Sequence, residues 1–499
     1  MKNSSATGSD GVSTRILRLC FDSIGHVLLY FVNTCLTTCE FPASWKHSII
    51  HPIHKSGNPS EASNFRPISI VPAFAKLVEK VAQQQLYSYM SDNHLFSSSQ
   101  HGFRSNLSTE TALVTVSDHI LSATDRQELT LLCLLDLSKC FDVIDHSKLL
   151  SKLQAYSIDP TWFSSYLRGH TQSVCTTDGR GNRLLSSPLP NPIGVFQGSS
   201  LGPLLFLIFA NDLPLFAPEA HVVQYADDTQ ILLSGKKDSL PQLIATMEQV
   251  LSSLDAWFHS HGLKVNTSKT ELIAFGSRQN CRDLAPISIQ FHEDTIREGP
   301  MVRNLGVLFD KHLTWDSHVS ALVKKCNGIL IGLSHVRHQI PPDLLPTLVN
   351  ALVISHVRYC LTVFGNGSEK NIQRLQKILN FALRVVSGRR KFDHISDVRG
   401  ELGWPTARQL YELHSLNFLH KIRCTGEPVA LSSHLQVNSA LRSRTTRQDS
   451  DLALPRARTE AGKRRLFYST VKLYNGLPLE MRELSRGAFR HAVSDLLVE

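Results

Sequence analysis

The stretch TLLCLLDLSKCFD, residues 130–142, decides how this chain is read. A nearly unbroken apolar run of strand length, ending in the single acid Asp136, is the pattern of a strand covered on both faces. The acid sits where that strand emerges. Alone, Asp136 reads equally well as a helix N-cap after a buried strand. Further along, QYADDTQ, residues 224–230, sets Asp227 and Asp228 between HVVQYA and TQILLSG, two strand-like runs that read as a hairpin. Alone, that pair is an ordinary acidic turn. If the two strands are neighbours in one sheet, the three carboxylates converge.

Converging carboxylates suit one chemistry in particular. Mg2+ takes hard oxygen ligands and keeps several waters, so a few aspartates on rigid strands suffice. Phosphoryl transfer to a hydroxyl uses two such ions roughly 4 Å apart.

Outward from these stretches, residues 14–39 have helical spacing, stopped at Phe41-Pro42. SIIHPIHKSG, residues 48–57, alternates like strands broken at Pro52 and at Ser56-Gly57. NFRPISIVP, residues 64–72, continues extended because Pro67 biases Arg66 away from helix, and residues 73–90 read as helix. Asp159-Pro160 predicts a helix start with an N-cap and a proline in the first position. Leu243, Met247, Val250, Leu254 and Trp257 form one apolar face of a helix from Ser239 to His261, stopped by Gly262. ELIAFG is strand-like, residues 316–336 and 341–359 are helical, and the tail beyond 385 is Arg-rich.

The 499 residues predict two to four subdomains. With 42% apolar and 19% charged residues, disorder is excluded as the general state. A net charge of +9 suits a polyanionic partner and many plain basic proteins alike. The ten cysteines show neither CxxC nor zinc spacing and read as reduced intracellular thiols. The N-terminus lacks a signal pattern, the run 16–31 is interrupted by Arg18, Asp22 and His26, and Leu201–Ala210 is too short to span a bilayer. No membrane segment is expected. Basic residues gather late, at Arg384, Arg389, Arg390 and Lys391, and again at Arg442, Arg444, Arg447, Arg456, Arg458, Lys463, Arg464 and Arg465. With Phe467, Tyr468 and Tyr474 interleaved, they read either as a solvated face or as an RNA-binding surface.

Nine stretches in order, SATGSDGV, FPASWKHSIIHPIHKSG, NFRPISIVP, SQHGFRSNLST, LLDLSKCFDVIDH, GVFQGSSLGPLLFLIFANDL, QYADDTQILL, LKVNTSKTELIAFG and VRNLGVLFDKHLTW, resemble the reverse transcriptase of a non-LTR retrotransposon of the LINE type, Jockey-like. The resemblance implies an α+β right-hand polymerase: an N-terminal extension and fingers (1–125), a palm with an antiparallel sheet (126–290), a helical thumb (291–385) and a basic helical C-terminal extension (386–499). The implied reaction is RNA-directed DNA synthesis, extending a DNA primer on an RNA template with dNTPs and two Mg2+ ions, for which Mn2+ can substitute. Its implied setting is target-primed retrotransposition at nuclear DNA. An inactive nucleic-acid-binding descendant is the alternative.

Residue by residue, the resemblance makes Asp136 and Asp227 metal ligands, with Asp228 in the same acidic site less directly. Phe141 takes the steric-gate position against the sugar C2′, with a core phenylalanine as the plain alternative. Gln197-Gly198 corresponds to the motif around nucleotide and template. There Gly198 lets backbone approach the substrate, and Ser199 or Ser200 caps the following helix. Arg66 and Lys55 match finger positions for the triphosphate, a surface salt bridge being the alternative for Lys55. Lys269 matches a lysine that protonates the leaving pyrophosphate. Gln100 and Arg104 match a template-strand contact.

Cys140 stands where alanine is commoner, and Ser199-Ser200 replaces Ser-Pro, neither change removing a ligand. No RNase H acidic set, C-terminal zinc knuckle or upstream endonuclease is identified, and oligomeric state is open.

Overall fold

The computed structural model describes residues 4–137, 139–441 and 450–498, so Arg442, Arg444 and Arg447 of the basic tail lie outside the described residues. The chain divides into two compact units, one of residues 1–103, 136–218 and 251–266, the other of residues 104–135, 219–250 and 267–499. Both interleave along the sequence. The strands used below are β1 (His47–His54), β2 (Phe65–Ile70), β3 (Glu128–Leu135), β4 (Thr171–Thr177), β5 (Arg183–Leu185), β6 (Leu189–Pro190), β7 (His221–Tyr225), β8 (Asp228–Lys236) and β9 (Glu271–Phe275).

In the first unit β2-β1-β4-β5 form a sheet, with β6 beside β4. The expected break at Pro52 is absent: β1 runs through it. Pro52 faces Pro67 in the antiparallel ladder with β2, and pairing with β4 ends at Ile50. Neither neighbour therefore needs an N–H from Pro52, and the strand continues. The N-terminal helical stretch breaks at Cys20 into Thr14–Leu19 and Phe21–Thr37. A further helix, Thr161–Leu167, starts one residue later than Asp159-Pro160 predicts. Pro160 is its N-cap, and Asp159 Oδ1 accepts the Thr161 N–H at 2.9 Å.

The helix Ala73–Asp92 buries Ala75, Val78, Ala82, Leu86 and Met90 along one stripe, and Glu79 lies within that stripe. The helix Gly202–Phe209, GPLLFLIF, is apolar on every side and buried on nearly every residue, as such a sequence requires.

In the second unit β7-β8-β3-β9 form a four-stranded sheet, antiparallel throughout. Leu131, Leu132 and Cys133 of β3 are fully buried, which explains the unbroken apolar run of an interior strand. The helix Thr109–Asp125 opens with a capping box between Ser108 and Thr111. The expected helix 316–336 is present as Asp316–Val336. The next begins at Leu345, not 341, and widens into a π turn over Asn350–Ile354 before ending at Arg358. Beyond 385 the described tail is helical, including Ala407–Thr425, Leu466–Asn475 and Arg486–Val498. No helix among the described residues is long and apolar enough to cross a membrane.

Candidate active site

Strand register fixes where the acids lie. β3 pairs with β8 from Glu128↔Lys236 to Leu135↔Thr229, and β7 closes on β8 with Tyr225↔Asp228. Asp136 is bonded to Leu135, and Asp228 to Thr229. On the other side of β3, Leu134 pairs with Glu271, two residues after Lys269. One end of one sheet thus collects the exit of β3, the Ala226-Asp227 tip and the turn Thr267–Lys269. Among the described residues no three His, Cys, Asp or Glu side chains are gathered as a ready-made metal site. Carboxylate oxygen is the donor Mg2+ takes.

The hairpin tip is strained. Ala226 has φ +56°, a left-handed conformation that disfavours any residue with a Cβ. Such strain persists where the surroundings over-determine it, often at functional sites. Asp227 is half-buried and Asp228 exposed, while Lys269 is exposed on its turn.

The first unit holds another group. The Ser69 N–H of β2 donates to the Gln197 carbonyl at 2.7 Å. Gln197 Nε2 donates to Asp142 Oδ1 at 2.9 Å. Gly198 has φ +123°, and a Cβ there would lie 2.5 Å from the Ser69 carbonyl oxygen, so only glycine fits. Ser199 Oγ accepts the Gly202 N–H at 2.8 Å just ahead of the buried helix, but the N-cap is Leu201, without a side-chain cap bond, and not the expected Ser199 or Ser200. Phe141 stacks on fully buried Phe206 at 4.6 Å between ring centroids. It is half-buried. Arg66 lies on β2, three residues before Ser69, and pairs with Ile53; Lys55 follows β1 on the same hairpin. Both side chains are exposed.

Gln100 is 2% exposed, and its Oε1 accepts the Gly102 N–H at 2.7 Å within its own turn. Arg104 is largely buried and pairs with Glu427, Nη2 to Oε1 2.8 Å.

One residue the sequence reading missed is Glu79. Its carboxylate accepts the Ser200 N–H at 2.7 Å and the Tyr166 hydroxyl at 2.9 Å, tying the Gln197–Ser200 loop to the helix behind it. Burial raises its pKa to about 7, against the hydrogen bonds from Ser200 and Tyr166 and the charge of Lys76. The signal was present: an acid in register with Ala75, Val78 and Ala82 on a buried helical stripe.

Residues 53–308 match the family model described as reverse transcriptase (RNA-dependent DNA polymerase). Three Drosophila melanogaster proteins are similar. The probable RNA-directed DNA polymerase from transposon BS is 27% identical over 79% of this chain and 44% of its own. The RNA-directed DNA polymerase from mobile element jockey is 24% identical over 89% and 49%. The probable RNA-directed DNA polymerase from transposon X-element is 25% identical over 83% and 46%. The chain spans about half the length of these relatives.

Proposed function

Because the chain belongs to the reverse transcriptase family, in its non-LTR, Jockey-like branch, we propose that it extends a DNA primer along an RNA template with dNTPs. The observation that supports this reading is the register of the four-stranded sheet, in which Leu135↔Thr229 and Tyr225↔Asp228 set the last residue of β3 beside the start of β8 and the β7–β8 turn. Asp136, Asp227 and Asp228 would hold two Mg2+ ions. When bound, such ions lower the pKa of the attacking 3′-hydroxyl and neutralise the triphosphate.

The chain's own side chains do the remaining work. Arg66, with Lys55 on the same hairpin, binds the triphosphate through charge-assisted hydrogen bonds. Phe141, kept in one orientation by its stack on Phe206, bars a ribose 2′-hydroxyl. The Gln197-Gly198 backbone, fixed on Ser69, lies against nucleotide and template. Lys269 delivers a proton to the leaving pyrophosphate. Residues 1–125 would form the fingers, 126–290 the palm, 291–385 the thumb and 386–499 a basic extension acting on chromosomal DNA in the nucleus.

Primer extension by the purified chain on an RNA template tests this. Asp227→Ala is expected to lower the rate by about a thousandfold, several kcal/mol of transition-state stabilisation. Phe141→Ala is expected to admit ribonucleotides. Extension surviving Asp227→Ala would remove the assigned site, and an unchanged dNTP preference in Phe141→Ala would remove the gate.

A further inference from the structure

The Arg-rich stretch that follows residue 383 is not simply a solvated face. Between the helices Asp316–Val336 and Glu369–Ser387 lies a cleft of about 810 Å3, lined also by Gly388, Arg389, Lys391 and Phe392. Its floor is apolar: Val323, Ile378, Phe381 and Val385. Its rim is cationic, with Arg337, Arg374, Lys377, Arg384, Arg389 and Lys391.

Most of that charge is positioned without being cancelled. Arg374 donates to Ser320 Oγ at 2.8 Å and Asn371 Oδ1 at 3.3 Å, and Arg384 to the carbonyl oxygens of Arg390 at 3.1 Å and Asp393 at 3.4 Å. These acceptors are all neutral. Among the described residues Arg389 alone of the six is ion-paired, with Asp397. At the mouth, Phe392 is 89% exposed, and Lys391 Nζ lies 5.4 Å from its ring centroid. An exposed phenylalanine above an apolar slot ringed by cations calls for a ligand with flat apolar faces and regularly spaced anions.

We propose that this cleft is a binding site for single-stranded RNA, taking an unstacked base into the slot and onto Phe392 while the rim holds the flanking phosphates. Single-stranded RNA is recognised by bases splayed onto aromatic rings and guanidinium planes. A slot of this volume is in the range that encloses a nucleotide-sized ligand. The choice of RNA over DNA rests on the polymerase reading above; the cleft itself does not.

The test uses the full chain and a fluorescent, unstructured RNA of about ten nucleotides, within the span such sites cover. Lys377→Ala, Lys391→Ala and Phe392→Ala together change only exposed side chains, and an unchanged melting temperature confirms folding. The triple variant is expected to bind at least about tenfold more weakly, with the slope of log affinity against log salt reduced by about 1.4, or 0.7 for each lost phosphate contact. Phe392→Ala alone is expected to cost about fivefold or more at an unchanged slope, since stacking releases no counterions. Unchanged RNA affinity in the triple variant overturns the proposal. So does a Phe392→Ala protein that binds like the parent while the lysine changes weaken binding, because the rim is then a general polyanion patch. Asp227→Ala separates the two readings: it is expected to lower extension about a thousandfold and leave this RNA affinity intact. Cleft-dependent RNA affinity in a chain that extends no primer would sink the polymerase reading alone.

Discussion

Glu79 and Asp118 are withdrawn from solvent to the same degree, at 1% and 4% exposure, yet their surroundings treat a buried carboxylate in opposite ways. Asp118, on the helix Thr109–Asp125, faces a guanidinium: Arg465 Nε and Nη2 reach its two oxygens at 3.1 and 2.9 Å. That fork joins the start of the chain's second unit to its C-terminal helices as a charged strut. Glu79 has no such fork. It is held by a backbone N–H and a tyrosine hydroxyl, and burial therefore moves it toward the neutral acid, with a pKa of about 7. Burial is common to both. The partner decides whether a site stores a charge or a proton.

The strut is where the comparison breaks most expensively. Asp118→Ala removes the two-oxygen fork from the Arg465 guanidinium, 8% exposed, leaving it only the more distant charge of Asp125, and stability is expected to fall by about 3–5 kcal/mol. Denaturant unfolding measures this. Replacing Asp118 and Arg465 together by apolar residues of similar volume is expected to recover most of the loss, since a buried pair adds little over good packing. A single variant that loses less than about 1 kcal/mol would show that the pair is not a strut.

Glu79 gives the next largest effect, and it is readable in pH. The unfolded carboxyl titrates near its ordinary 4.5 and the folded one at about 7, so the folded state holds the proton more tightly. The resulting stabilisation is full below about 4.5 and is lost as pH rises through about 7, amounting to roughly 3 kcal/mol in all. Buried His170 and half-buried His318, each lowered to about 4 by desolvation, contribute the opposite slope. Subtracting the stability curve of Glu79→Gln from that of the parent isolates the carboxyl. A flat difference between pH 4.5 and 7.5 would remove the titrating clamp.

How much of this was legible depended on whether a feature follows from periodicity or from a meeting of distant residues. The β3 run, the Asp227-Asp228 hairpin and the helix Leu240–Ser260 were legible because covered strands and amphipathic helices write their own period into sequence. The strand through Pro52 was not: its tolerance depends on Pro67 opposite and on where β4 ends. Arg104 and Arg465 look like any solvent or phosphate-binding arginine until Glu427 and Asp118, hundreds of residues away, are seen to face them. The basic tail therefore split. Arg465 turned inward as structure, while Arg384, Arg389 and Lys391 stayed on an open cleft. No local pattern separates the two.

The smallest effect is the sharpest test of why Glu79 differs from Asp118. Tyr166→Phe removes the hydroxyl that donates to Glu79 Oε1 at 2.9 Å and leaves the Ser200 N–H on Oε2 in place. Below pH 5 the acid is neutral, and one ordinary hydrogen bond is lost, worth about 1 kcal/mol. Above pH 7 the acceptor is an anion, for which such a bond is worth about 2 kcal/mol, so the cost grows with pH. Because the Tyr166 bond favours the charged form, its loss is expected to move the pH midpoint of the stability curve upward from about 7. If the midpoint stays put while stability falls uniformly, Tyr166 only fills space, and the proton on Glu79 answers to burial alone.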